Sequence, residues 1–461
     1  MDLHYLSLTE LSDRFRNRTL SPVEATRAML DRIERLDGQL ASYVTVLAER
    51  SLEKARCAEA EIARGLWRGP LHGAPIAVKD LCDTKFAPST AGMKIYADHV
   101  PDRNATVIDR LEAAGAIVLG KLAMTEGAMI EHHPALPEPR NPWSMAHWTG
   151  ASSSGSGVAT AAGLCYASLG SDTGGSIRFP SAFCGLTGVK PTWGRVSRHG
   201  IFPLADSLDH VGPMARNAAD AAALLGVIAG RDPLDPTALQ ATVPDYLGGI
   251  GLGVRGLRLG VDERFLAEGT DPQVMAVIEA AIEVLSGCGA RTVPVQFPSP
   301  RRLTDFWMSL TIAEAALAHA ETYPSRAEDY APQLRAMLAA AQNLDARAIV
   351  EGNRVRRDFA GQMAALFEDI DLLIVPVWPG VAPLTAAMGD IGNVDAAAIL
   401  RFTGPFNFTG QPTITLQGGV DSAGVPIGFQ LVANHLDEAL LFRAAHAFQQ
   451  RTDWHTRHPD L

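Results

Sequence analysis

Gly150-Ala151-Ser152-Ser153-Ser154-Gly155-Ser156-Gly157 and Gly170-Ser171-Asp172-Thr173-Gly174-Gly175-Ser176-Ile177-Arg178 are two Ser/Gly clusters separated by a short helical stretch, Gly157 to Ala162, and a short extended one, Cys165 to Leu169. Ser and Gly are default turn residues, so either cluster alone reads as a turn. The pair reads differently, because a linker gives no reason for the tight apolar run between them. The clusters bracket one buried piece of structure. In the second, Asp172-Thr173-Gly174-Gly175-Ser176 presents consecutive backbone N–H groups without side-chain obstruction. That is the composition of an anion-binding nest.

Outward from this unit, strands and helices alternate. Pro75-Ile76-Ala77-Val78, ending at Lys79-Asp80, reads as a strand, Val107 to Ala114 as a helix and Ile117 to Leu119 as a strand. Further strands are expected at Leu257 to Val261, Leu372 to Val377, Thr413 to Leu416 and Ile427 to Val432, with helices near 273–286, 346–366 and 437–450. The alternation predicts an α/β fold: a mixed, mainly parallel sheet covered by helices on both faces. Upstream, Ser21-Pro22-Val23-Glu24 is a capping box with proline at the first helical position. A second helix runs through the 50s and early 60s, so residues 1 to about 70 form an N-terminal helical region. A length of 461 residues suggests about three domains by size alone. Composition argues for one domain over 1–461, since the 47% hydrophobic and 20% charged residues are spread without low-complexity runs. The Gly-rich stretch Leu247 to Gly256 is a linker or surface excursion. Its Gly251-Leu252-Gly253-Val254-Arg255-Gly256 fits G-x-G-x-x-G but precedes a strand instead of following one, so it is a chance match.

Forty basic against 51 acidic residues leave a net charge of −11, with no Lys/Arg stripe for phosphates. No nucleic-acid partner is expected. No span approaches the ~18 apolar residues of a membrane helix, and the first residues lack a signal-peptide pattern. The cytoplasm is the expected location. Five cysteines, at 57, 82, 165, 184 and 288, form no C-x-x-C pair. His132-His133 and His455-Thr456-Arg457-His458 lack a third ligand at metal spacing and read as surface or tail residues. Neither metal nor cofactor is implied.

Lys79 ends an apolar strand, a setting that disfavours the charged form and lowers a lysine pKa. Taken alone it also reads as a surface lysine paired with Asp80. Beside a serine it has a chemical use. A hydroxyl is a weak nucleophile until a base takes its proton, and no histidine pattern here supplies one.

The two clusters together resemble the amidase signature family, whose Gly/Ser-rich signature ends in a segment like Asp172-Thr173-Gly174-Gly175-Ser176-Ile177-Arg178. The resemblance extends to Ala77 to Asp80, Gly120-Lys121 with Glu126, Cys184 to Arg195, Ser207 to Asp209 with Gly212-Pro213, and Gly424 to Gly428, which is nearly the whole chain. It implies that Ser176 is the nucleophile, Ser152 the relay and Lys79 the terminal base. It also implies that the N–H groups of Thr173, Gly174, Gly175 and Ser176 face the oxyanion. The step of 24 residues from Ser152 to Ser176 selects Ser152 over Ser153 and Ser154. One departure is Ala151, where the family usually has Gly in a cis peptide bond. Asp172 and Arg178, of opposite charge, either pair to hold the loop or touch substrate.

The expected reaction is hydrolysis of a carboxamide-type C–N bond through a serine acyl-enzyme. Its partner would be a small-molecule amide or carbamate, and a homodimer is one candidate assembly. The alternative is the glutaminase subunit of a tRNA-dependent amidotransferase. Such subunits tend to carry Gln after this Arg, where the chain has Phe179. A catalytically silent scaffold is a third reading. For the substrate pocket, the aromatic and thioether residues Met129, Ile130, Phe306, Trp307, Phe402 and Phe406 are candidates, with His132, His133, Met308 and Leu310 nearby; the same aromatics also read as core.

Overall fold

The computed structural model describes residues 3–388 and 396–461. Helix Pro22–Leu40 begins as its first residues require: Ser21 Oγ accepts from the N–H groups of Val23 and Glu24, and proline occupies the first turn. Eleven strands form one sheet among the described residues. They are β1 (Tyr43–Val46), β2 (Pro75–Lys79), β3 (Ile117–Leu122), β4 (Ala167–Asp172), β5 (Thr187–Lys190), β6 (His210–Ala215), β7 (Arg258–Val261), β8 (Arg291–Pro294), β9 (Leu372–Pro376), β10 (Thr413–Val420) and β11 (Pro426–Ala433). Their order is β1-β3-β2-β4-β6-β5-β10-β11-β9-β7-β8. The N-terminal region carries β1 between its helices, which pairs antiparallel with β3 at one edge.

The parallel neighbours implied by the strand-helix alternation lie in the flanks, β3-β2-β4 and β9-β7-β8. Between β4 and β9 the pairings are antiparallel. Two local causes account for this. β4 and β5 run the same way across an intervening helix, but β6 inserts between them. β10 and β11 are joined by a turn too short for a crossover, in which Gly424 adopts φ 80°. β2, β3, β4 and β6 are buried at every residue, as strands covered on both faces must be. The edge strands β1 and β8 are not. The sheet is that of a single large α/β domain, and no helix of the described residues is long and apolar enough to cross a membrane.

β2 and β3 deliver two lysines into the interior. Lys121 Nζ stands 3.2 Å from Asp80 Oδ1 and donates to Ser89 Oγ at 2.6 Å, with both ionic partners fully buried. Asp80 therefore pairs with Lys121 and not with its sequence neighbour Lys79. Removing one member of a buried pair strands the other charge. Lys121→Met is expected to lower the urea unfolding free energy by about 3 to 5 kcal/mol by leaving Asp80 unpaired. A loss under about 1 kcal/mol would show that the pair contributes little here.

Candidate active site

Lys79 sits at the end of β2 with no solvent exposure. Its Nζ lies 2.7 Å from Ser152 Oγ, 2.9 Å from Ser153 Oγ and 2.9 Å from Ser171 Oγ. Burial lowers its pKa to about 7, opposed only in part by the charges of Cys82, Asp172 and Asp209. The three hydroxyls differ in what they have left to give. Ser153 Oγ donates to Ser171 O at 3.1 Å and accepts from the Ser171 N–H at 3.2 Å, so its hydrogen is committed. Ser154 Oγ, outside the group, lies 3.2 Å from His132 Nε2. Among the described residues, the hydroxyl hydrogens of Ser152 and Ser171 carry no such commitment. The Ser153 N–H donates to Ser176 O at 3.3 Å, which seats the first cluster against the second. The Ala151-Ser152 peptide is cis, with alanine in place of the family's glycine.

The second cluster leaves the end of β4 and is tied at its base. Arg178 donates to Asp172 through Nη2 at 2.8 Å and Nε at 3.0 Å, and both residues are fully buried. The Asp172 carboxylate also accepts from the Ile177 N–H at 3.0 Å and from Asn407 Nδ2 at 2.8 Å. Burial alone would raise its pKa, but Arg178 and Asn407 hold it well below the usual carboxylate range. Further along, Thr173 Oγ1 donates to Asp209 at 2.5 Å. Gly175 has φ +143°, and a Cβ there would meet the Phe179 ring at 2.5 Å. Only glycine fits that backbone beside that ring.

Ser176, partly exposed, opens into a cavity of about 190 Å³. Ala128, Met129 and Ile130 form one wall, Trp307 and Met308 another, and Trp148, Phe179, Met337 and Leu400 close it. Gln333 and Thr173 bring the polar side chains besides Ser176. No described residue of the lining is charged.

The family profile described as Amidase matches residues 24–442. The chain belongs to the Amidase family. The AmiD protein of Mycobacterium tuberculosis, named as an amidase, is 47% identical over 458 residues, 99% of this chain and 96% of that one. A glutamyl-tRNA(Gln) amidotransferase subunit of Moorella thermoacetica is 38% identical over 500 residues, 100% of this chain and 99% of that one. The solved structure of a 6-aminohexanoate cyclic dimer hydrolase complexed with substrate superposes with a TM-score of 0.91 at 27% identity, covering 100% of this chain and 99% of that one.

In this Amidase-family chain Lys79 meets Ser152, the neighbouring Ser153 N–H holds Ser176 O, Thr173, Gly174 and Ser176 line the cavity, and Asp172 pairs with Arg178 instead of reaching into it. Among the pocket candidates, Met129, Ile130 and Trp307 line the cavity, and so does Met308. Phe306, Phe402 and Phe406 do not. Phe306 stacks with Phe408, Phe402 meets Phe265 edge-on and Phe406 meets Phe297, all in the core. Consecutive helical residues point about 100° apart, so Phe306 turns away from the face that Trp307 presents. Of His132 and His133, expected at the surface, His133 is buried and His132 is half-buried, with burial pushing its pKa down to about 4. Sequence reasoning missed Trp148, Gln333, Met337 and Leu400, which reach the cavity from distant segments and carry no local signature. Phe179 carried one in its departure from Gln. Gly175→Ala should cut fluorophosphonate labelling of Ser176 by at least about 100-fold while leaving far-UV circular dichroism unchanged. Labelling at the wild-type rate would show that the loop does not need this backbone.

Proposed function

We propose that this protein hydrolyses the C–N bond of an uncharged, largely apolar amide, anilide or carbamate, in the cytoplasm, through an acyl-enzyme on Ser176. The observation that carries the reading is the hydrogen-bond inventory around Lys79. A neutral amine has two N–H donors and one lone pair, whereas an ammonium has three donors and no acceptor. Ser153, whose hydrogen is committed elsewhere, can only accept from Lys79. Ser152 and Ser171 both keep a hydroxyl hydrogen, and we assign the second N–H to Ser171 and the lone pair to Ser152, the nearer of the two at 2.7 Å. Ser152 then accepts the proton of Ser176 as Ser176 Oγ attacks the substrate carbonyl carbon.

The carbonyl oxygen becomes an oxyanion facing the N–H groups of Thr173, Gly174, Gly175 and Ser176. Such a donor typically contributes ~3 to 4 kcal/mol. As the intermediate collapses, the proton held by Lys79 returns through Ser152 to the leaving nitrogen, since an amide anion is a very poor leaving group. The C–N bond breaks and the amine leaves. Water then attacks the acyl-serine, with the same relay taking its proton.

The cavity supports the substrate class. Transferring a charged group into a lining with no described charge costs free energy that nothing there returns. That weighs against glutamine, with its ammonium and carboxylate, and so against a glutaminase subunit, the reading favoured by the identity with the Moorella thermoacetica protein. A panel of anilides, alkyl amides, carbamates and glutamine should show turnover of the apolar members and none of glutamine. Glutaminase activity appearing only with an added partner subunit would support the other reading.

The relay makes its own prediction. Lys79→Ala should lose base and acid functions with an amide but only the base function with an activated ester of the same acyl group. The amide deficit should exceed the ester deficit by ~100- to 10,000-fold. Wild-type amidase rate should rise with pH through about 7, as Lys79 loses its proton, and then level off. Equal losses on both substrates, with the pH limb intact in the variant, would remove Lys79 from the relay.

A further inference from the structure

Two residues far from the signature hold the loop from its other side. In a trans peptide the C=O and N–H of one unit point in opposite directions. The described cis bonds are Ala151-Ser152 and Tyr323-Pro324, so the units joining Thr173 to Gly174 and Gly174 to Gly175 are trans. Each of their carbonyls has one named donor. Trp307 Nε1 donates to Thr173 O at 3.0 Å, and Thr403 Oγ1 donates to Gly174 O at 2.6 Å. Among the described residues, nothing accepts from the Gly174 or Gly175 N–H.

Both peptide units adjoin glycines, where backbone rotation meets least resistance. With no Cβ at Gly174 or Gly175, the orientation of these units depends on what grips the carbonyls, beside the Thr173 side chain held by Asp209. Both grips are buried, Thr403 completely. Thr403 also engages the far end of the loop, its main-chain oxygen accepting from Arg178 Nη1 at 2.9 Å. It lies outside the cavity lining, whereas the Trp307 indole is part of it.

We propose that Trp307 and Thr403 are positioning residues that turn the Gly174 and Gly175 N–H groups toward the oxyanion, and that Trp307 thereby links the fit of the substrate to the quality of the oxyanion site. The inference rests on the reaction proposed above. A substrate that pushes the indole aside loosens the grip on the Thr173 carbonyl, so poor fit appears in kcat as well as in KM.

Thr403→Val keeps the shape and deletes the hydroxyl; Trp307→Phe keeps a ring in the wall and deletes the N–H. Loss of a whole oxyanion donor costs about 100- to 1,000-fold, and a misaligned one should cost part of that, about 10- to 100-fold in kcat. For Thr403→Val the KM of a small anilide should stay within about twofold. Thr403→Ser, which retains the hydroxyl, should recover most of the loss. A trifluoromethyl ketone, which forms a tetrahedral oxyanion on the nucleophile, should lose affinity by the same factor as kcat/KM, while the product carboxylic acid binds as before. A general structural role would instead weaken both ligands together or leave Thr403→Ser unrescued. Either result overturns the proposal, as does a wild-type kcat in Thr403→Val. Should that variant fail to fold, the same ratio of ketone to product affinity in Trp307→Phe decides. A wild-type enzyme that turns over no amide would take down both the reaction and this inference; an active wild type with unimpaired variants would take down this inference alone.

Discussion

A lysine in water keeps its proton to a pH of about 10, and a lysine whose side chain leaves solvent gives up the hydration that favours the charge. Lys79 has left it completely, at the inner end of a strand buried along its length. What keeps the charged form from being restored is the absence of a dedicated counter-ion. Asp80, next in sequence, is engaged by Lys121 and Thr90. Asp172, whose charge also acts on Lys79, is engaged by Arg178 and Asn407. The remaining neighbours at hydrogen-bond distance are hydroxyls, which suit a neutral amine as well as a charged one. The low pKa therefore comes from burial, and the pairing of Asp80 and Asp172 elsewhere leaves that effect opposed only in part.

The same ion pair serves the loop. By gripping Asp172 from two nitrogens, Arg178 closes the turn that contains Ser176, and the Ile177 N–H on the same carboxylate sets where the following helix starts. Bidentate geometry of this kind fixes orientation as well as distance. The carbonyls of Thr173 and Gly174 face Trp307 and Thr403, and Ser176 opens into a wall of methionine, aliphatic and aromatic side chains. Charge is thus kept beneath the Ser176 loop and out of the described lining of the cavity.

Lys79, Ser152 and the loop were legible because they belong to short segments whose glycines, serines and flanking apolar runs are each constrained by local geometry. The helices expected near 273–286, 346–366 and 437–450 were legible from their periodicity, but the 18-residue helix Arg301–Ala318 was not. β6 was not: it places Gly212 and Pro213 in the middle of a central strand, where proline's missing donor argues against a strand, and neighbouring strands supply the pairing that overrides this. Nor were the short strands β1, β5 and β8, four residues each, too brief for alternation to register. The cavity was half legible. Aromatic composition identified the right segment but not which of its side chains face the cavity, and Trp148, Gln333 and Met337 join the site only through tertiary packing. The choice of Ser152 over Ser153 and Ser154 was legible in the 24-residue step to Ser176, whereas the commitment of the Ser153 hydrogen to Ser171 O and the contact of Ser154 with His132 needed the structure.

The central claim is that Lys79 loses its proton near neutrality because of where it is buried. NMR of protein carrying 13C at the lysine ε-carbon reads this directly, with the Lys79 signal assigned by its loss in Lys79→Arg. The account predicts a titration midpoint near 7 for Lys79. A midpoint at about 10, the value of a lysine in water, would contradict it.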